Sequence, residues 1–240
     1  GDIGPMDRQM IDFEGVVNCR DLGGIPLRQD GMTRSGVFFR SETPQLMTEA
    51  DVRRASEELG IGRVVDLRGK KMLGVDLGGS GALGANGHGV NIDFLELAGG
   101  MDVVEQSPDG FLAALIDCGG GPLDMFLESF VSTDDAVLVH CHTGKDRTGF
   151  VVAMTLAIAG ASDDNIVADY QMSAPIFDRM MANLAAAGMA VPPTAPAYAH
   201  HAPSPDGLRA MLHRLRTEWD SVDDWALDHG LSQSLLDQTR

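Results

Sequence analysis

The stretch His140-Cys141-His142-Thr143-Gly144-Lys145-Asp146-Arg147-Thr148-Gly149 holds a cysteine and an arginine with five residues between them and a hydroxyl directly after the arginine. A turn of that length at a helix N-terminus points successive backbone N–H groups into one anion-sized hollow. Gly144 permits the tight curl, and Gly149 permits close approach of the helix that follows. Arg147 would close the ring with a two-pronged grip on phosphoryl oxygens, and Cys141 would lie at its floor as a nucleophile. An ordinary thiol is only about 3% thiolate at pH 7, and a helix N-terminus with a neighbouring cation lowers its pKa. A value near 5.5 raises the thiolate fraction about 30-fold, although each thiolate is then a weaker nucleophile. The chemistry so described is transfer of a phosphoryl group to sulfur.

The flanking elements suit this placement. Ala136-Val137-Leu138-Val139-His140 is a continuous apolar run, as in a parallel strand buried on both faces. Arg147 to Ala159 has the length and composition of a buried helix. Upstream, Gly15–Asn18 reads as a short strand closed by a turn at Asp21-Leu22-Gly23-Gly24, and Gly36–Ser41 as a second strand. Thr48 caps a helix that stops at Gly60, and Arg63–Arg68 is a third strand. Gly69–Gly89, dense in glycine, reads as a mobile surface loop, and Ile92–Leu97 as a further strand. Helical periodicity runs from Gly110 to Phe130 with a break at Gly119-Gly120-Gly121-Pro122. Ser162 caps a helix through Tyr170, Ala174–Ala187 forms another, and three more follow near 208–219, 222–228 and 232–238. Strand and helix alternation predicts an α/β fold, a central mostly parallel sheet flanked by helices on both faces.

Composition agrees. The 240 residues are 44% hydrophobic, enough for a sizeable core, which excludes extensive disorder. The longest apolar run, Gly149 to Ala161, falls short of the ~20 residues that cross a bilayer, and no signal peptide is evident. The expected location is therefore cytoplasmic, or secreted without a recognisable signal, with no stable membrane insertion. With 35 acidic against 18 basic side chains, the net charge of -17 repels nucleic acid, and no such partner is expected. Three scattered cysteines without a CxxC pair argue against a disulfide framework or structural zinc. Residues 1–10 read as an N-terminal tail, in part an expression remnant, before one domain over 11–240.

The Cys-to-Arg loop resembles the HCxxGxxR[S/T] signature of cysteine-dependent phosphatases. Its GKDRTG ending is similar to that of the bacterial tyrosine/serine protein phosphatases with lipid-phosphatase-like character. Asn18-Cys19-Arg20-Asp21-Leu22-Gly23-Gly24, Phe39-Arg40-Ser41, Asp66-Leu67-Arg68 and Val167-Ala168-Asp169-Tyr170 are similar to elements of that family in the same order. The resemblance covers about residues 11–240. It implies Cys141 as the nucleophile of a phosphocysteine intermediate and Arg147 as the phosphoryl ligand. His140 would order the loop and Thr148 would bond the departing thiolate. His142, Thr143, Gly144 and Lys145 would line the substrate site together with Asp66 and Arg68, Lys145 meeting a second anionic group. Asp146, Asp66 and Asp109 (in Ser107-Pro108-Asp109-Gly110) are alternative general acids. Thr143 replaces a small apolar residue of the family pattern, and Gly69-Lys70-Lys71 stands where the family usually has a Glu.

The implied substrate is a phosphoprotein, phosphotyrosine leading, with phosphoserine, phosphothreonine and phosphoinositides open; the product is inorganic phosphate, and no cofactor or metal is needed. A phosphate-recognition module without turnover and a sulfurtransferase using the same cysteine are the alternatives. Gly79-Ser80-Gly81-Ala82-Leu83-Gly84 matches GxGxxG, yet without an expected strand before it or helix after it a flexible loop accounts for it better. His140, His142, His200 and His201 lack metal-ligand spacing. Met180, Met181, Leu184 and Met189 read either as a packing face or as an apolar lid over the site within 174–207. Arg20, Arg40 and Arg68 are either salt-bridge partners or the local positive potential of an anion pocket, the latter favoured for Arg68.

Overall fold

The computed structural model describes residues 10–69, 71–72, 75–76, 79–99, 108–191, 193, 195 and 197–240. In chain order the elements are β1 (Arg20–Asp21), β2 (Phe38–Ser41), α1 (Glu49–Arg53, continued by a π-helical stretch Arg54–Glu58), β3 (Ile61–Asp66), the small hairpin β4 (Lys71–Met72) and β5 (Val75–Asp76), α2 (Gly81–Asn86), β6 (His88–Asn91) and α3 (Phe94–Leu97). Then come α4 (Pro108–Cys118), α5 (Gly120–Val131), β7 (Ala136–His140), α6 (Asp146–Ala159), α7 (Asp163–Gln171), α8 (Phe177–Ala186), α9 (Pro205–Glu218), α10 (Val222–Asp228) and α11 (Gln233–Thr239).

The main sheet has the order β1-β2-β7-β3-β6, parallel throughout except for the antiparallel edge pair β1–β2. The α/β architecture of a mostly parallel sheet between helical layers is therefore present. Strand pleating assigns residues to two cores. Phe38, Val65, Val137 and Val139 face the larger cluster, shared with α4, α5, α6 and the C-terminal helices. Phe39, Val64 and Leu138 face a smaller one with Phe13, Val52 and Leu83. Register aligns Ser41 and Asp66 with His140 at the C-terminal ends of β2, β3 and β7. Ligand sites of open parallel sheets lie at that edge.

Helix ends follow local chemistry. Thr48 accepts from the Asp51 amide while the Asp51 carboxylate accepts from the Thr48 amide, a reciprocal capping box. Ser162, Ser204, Ser221 and Ser232 cap α7, α9, α10 and α11. Residues 146–158 of α6 are buried without exception. Among the described residues no single helix is long and apolar enough to cross a membrane; α4 and α5 pass that test only as a pair, bent by 76°. Core residues such as Leu115, Phe126 and Leu127 in that pair pack inside the protein.

Three local expectations are corrected. Gly15–Asn18 is not a strand, because its amides go to carboxylates: Gly15 and Glu14 donate to Asp51, and Val17 and Asn18 donate to buried Glu42. Strand pairing starts instead at Arg20. The 69–89 segment is not an uninterrupted loop: it carries β4, β5 and α2, whose Leu83 anchors it to the smaller core. The glycine-rich stretch thus does open a helix, of six residues. The strand expected at Ile92–Leu97 lies earlier, at His88–Asn91, and Asp93 caps the short helix α3 through the Glu96 amide. Most of the expected N-terminal tail (residues 1–9), Lys70 and the side chains of Lys71 and Asp109 lie outside the described residues.

Candidate active site

Residues 140–147 run from the end of β7 into the first turn of α6. Each carbonyl of this loop from 140 to 145 accepts a hydrogen bond from a donor outside the hollow. The Leu67 amide reaches His140 O at 2.8 Å, and the His140 ring Nδ1 reaches Cys141 O at 2.8 Å. Thr43 N bonds His142 O at 2.9 Å, Asn18 Nδ2 bonds Thr143 O at 3.1 Å, and Arg40 Nη2 bonds Gly144 O at 2.7 Å. The Gly149 amide takes Lys145 O at 2.7 Å within α6. A trans peptide points its C=O and N–H in opposite directions. Carbonyls drawn outward therefore turn the intervening N–H groups inward. Gly144 makes the curl with φ +68°, and a Cβ there would lie 2.3 Å from the Ser41 carbonyl oxygen.

Cys141 is buried at the base, 2% exposed. Burial works against its thiolate, yet the Arg147 guanidinium and donation from Thr148 outweigh it and hold the thiol below its ordinary pKa. The Thr148 hydroxyl is fully buried with no other hydrogen-bond partner, so it is left to the sulfur. Cys19 is the opposite case. Burial first, and the Glu42 carboxylate second, push its thiol upward, which disqualifies it as a nucleophile.

Two carboxyl groups beside the loop differ. Burial raises the pKa of Asp146, against the opposing pull of Lys145, Tyr170 and Arg147. Its carboxyl touches Lys145 Nζ at 3.3 Å and accepts from the Tyr170 hydroxyl at 3.3 Å. Asp66 is held below the usual range: burial opposes this, but His140 and the two-pronged Arg68 pair prevail, with Nε and Nη2 at 2.9 and 2.7 Å. A carboxylate held ionised is a poor proton donor. Arg68 also donates to Gln45 Oε1 at 3.0 Å and Gly79 O at 2.5 Å. It is a buried salt-bridge partner whose charge is also felt at His140 and His142.

Arg20 and Arg40 are likewise buried partners of Asp169, at 2.7 and 2.5 Å. Arg20 also binds Asn18 Oδ1 at 2.6 Å, which orients the amide that grips the loop at Thr143. Of the two roles the sequence offers Arg20 and Arg40, the salt bridge is present, but neither Asp169 as the shared partner nor the hold on the loop was read there. The arginines are cross-strand neighbours on β1 and β2, where an unpaired buried charge is prohibitive.

On the other side, the segment after α8 meets the loop twice. His142 Nε2 donates to Met189 O at 2.9 Å and Lys145 Nζ donates to His201 O at 2.7 Å. Lys145 also stands over the Phe177 ring, 5.5 Å from its centroid. Phe177, Met180 and Leu184 pack with Val17 in a cluster of their own, separate from both main cores. Met181 and Met189 pack against that cluster. Burial, reinforced by Arg147 and Arg68, pushes His142 down to about 4, so its ring is neutral. Among the described residues no group of three or more His, Cys, Asp or Glu side chains is placed to hold a metal ion.

The loop between β7 and α6 thus surrounds a buried cysteine with inward-turned amides and an arginine. Residues 11–240 match the tyrosine phosphatase family, and the chain belongs to it. A protein of Cupriavidus necator provisionally named a tyrosine-protein phosphatase is 30% identical over 236 residues, spanning 92% of this chain and 84% of that one. The triple specificity protein phosphatase PtpB of Mycobacterium tuberculosis is 62% identical over 37 residues, 15% of this chain and 13% of that one. Among solved structures, P. aeruginosa TpbA in complex with pTyr overlaps 87% of this chain and 98% of its own at 17% identity and TM-score 0.36. The enzyme class is protein-tyrosine phosphatase, a phosphoric monoester hydrolase.

Proposed function

We propose that this phosphatase works in two steps through a phosphocysteine at Cys141. The sulfur attacks phosphorus while the phosphoryl oxygens take the inward amides of 142–146 and the Arg147 guanidinium. Asp146 passes its proton to the departing alkoxide or phenoxide. Water then attacks the phosphocysteine with Asp146 as base, inorganic phosphate leaves, and Thr148 donates to the released thiolate. The observation that carries this is the run of outward-bound carbonyls around a cysteine whose thiolate Arg147 and Thr148 favour. Asp146 is preferred to Asp66 as the acid because burial protects its proton, whereas the two-pronged Arg68 pair holds Asp66 ionised.

Phosphotyrosine is the first substrate to test. The short match to a protein named for triple specificity supports testing further classes of phosphomonoester beside it. The domain spans 11–240, and the segment within 174–207 acts as a cover that must release Lys145 from His201 before that lysine meets a second anionic group.

The decisive experiment is para-nitrophenyl phosphate hydrolysis near pH 6 with EDTA present, for the native chain and Cys141→Ser. Activity that survives EDTA and falls by at least about 10³-fold in the variant supports phosphocysteine chemistry. Absence of hydrolysis in both, with phosphopeptide binding intact, would make the protein a recognition module.

A further inference from the structure

Ser80 occupies the N-cap position of α2, where a serine normally bonds the helix's own amides. Its hydroxyl makes no cap bond. It goes instead to His140 Nε2, 2.7 Å away and sixty positions along the chain. The direction of that bond follows from the other end of the ring. Nδ1 lies 2.8 Å from Cys141 O, a carbonyl that only accepts, so Nδ1 carries the hydrogen. Burial holds His140 at about 4, with Arg68 and Arg147 acting in the same sense and Asp66, 3.9 Å from Nδ1, against them. The ring is therefore neutral, Nε2 bears a lone pair, and Ser80 is its donor.

The turn carrying Ser80 is fixed on both sides. Arg68 Nη2 holds Gly79 O at 2.5 Å. Gly81 sits at φ +63° so close to Gln45 that a Cβ would lie 2.9 Å from its Cα. Gln45 is in turn held by Arg68 Nη1 at 3.0 Å. The glycine-rich stretch, unassigned in the sequence, is thus fastened to the rear of the phosphate loop.

We propose that Ser80 is a positioning residue for the reaction, holding the His140 ring at Nε2 so that its Nδ1–H stays on the Cys141 carbonyl. That Nδ1–H bond draws the Cys141 carbonyl outward, which turns the His142 amide of the same peptide inward as the first donor to the phosphoryl group and thiolate. Without the hydroxyl, Nε2 is a buried acceptor with no donor, and the ring gains by tilting to find one, which weakens its hold on the carbonyl. The proposal rests on Cys141 being the nucleophile.

The test compares Ser80→Ala, Ser80→Thr and Ser80→Val with the native protein. Two readouts need no turnover: long-range 1H–15N spectra of the His140 ring, and the pH dependence of Cys141 alkylation by iodoacetamide. Ser80→Ala and Ser80→Val are expected to move the Nδ1–H proton resonance upfield, as its bond to the carbonyl weakens, and to shift the alkylation midpoint upward. Their kcat/KM should fall about 5- to 10-fold, carried by kcat. Ser80→Thr, which keeps the hydroxyl, should restore all three. The Thr and Val pair differ by that hydroxyl alone, so loosening of the turn is shared between them. An unchanged Nδ1–H resonance and midpoint in Ser80→Val would overturn the proposal. A Cys141→Ser protein that kept its activity would instead sink the phosphocysteine mechanism, whatever the His140 spectra showed.

Discussion

Asp169 and Asp146 are both buried aspartates packed against the same loop, and they hold opposite protonation preferences. Asp169 lies between two guanidiniums, Arg20 and Arg40, which overcome the burial cost and keep it ionised. Asp146 has a more distant lysine contact, one phenol and the weaker pull of Arg147, and burial wins. What separates the structural carboxylate from the proposed acid is the closeness of the cations, with burial common to both.

Asp169→Asn should break the structural side of this contrast most severely, since it strands two buried arginines. The expected loss is about 3–5 kcal/mol of stability, read as a Tm lower by roughly 6–20 °C. Because the folded pKa of Asp169 is depressed, its contribution is complete above the unfolded value of about 3.9 and is lost as pH falls through the folded value. The native protein should therefore show an acid-side loss of Tm that the variant lacks. A variant as stable as the native chain would show that Arg20 and Arg40 find other partners.

Asp146→Asn should spare the fold and remove chemistry, lowering kcat on the order of 10²-fold for substrates with poor leaving groups and less for para-nitrophenyl phosphate. Its stability signature has the opposite sign. A carboxyl whose folded pKa is raised costs stability as pH rises from its unfolded value towards the folded one. Scanning calorimetry across that range should find the variant gaining on the native protein, and equal kcat for both leaving-group types would remove Asp146 as the acid.

Thr148→Ala is the finest probe, deleting one donor to the thiolate. The expected fall in kcat is about 10-fold, with an upward shift of the Cys141 alkylation midpoint. A midpoint that did not move would assign the thiolate's stabilisation to Arg147 and the loop amides alone.

The strand Ala136–His140, the helix after it and the loop that carries the proposed nucleophile and arginine were legible because they are contiguous. A run such as Ala136–His140 declares its burial by composition, and the Cys-x5-Arg spacing is a property of one loop. Ser162 was similarly readable as a local cap. Gly15–Asn18 was misread because its amides are claimed by Asp51 and Glu42, whose approach no nearby residue announces. Gly79–Gly84 was passed over as a loop because glycine lowers helix propensity, which Leu83 in the core overrides.

By itself the sequence determined which groups stand together for the proposed chemistry: a thiol, a guanidinium, a hydroxyl and a carboxyl within eight consecutive positions, on a strand-to-helix turn. The tertiary structure alone decided their states. Asn18 and Arg40 reach the loop from 125 and 104 positions away, and Ser80 reaches His140 from sixty. Protonation and carbonyl direction depend on the charges and donors within a few ångströms, where Coulomb and hydrogen-bond energies are large. Those neighbours are set by the order in which β2, β7 and β3 pair, which no local stretch of the chain encodes.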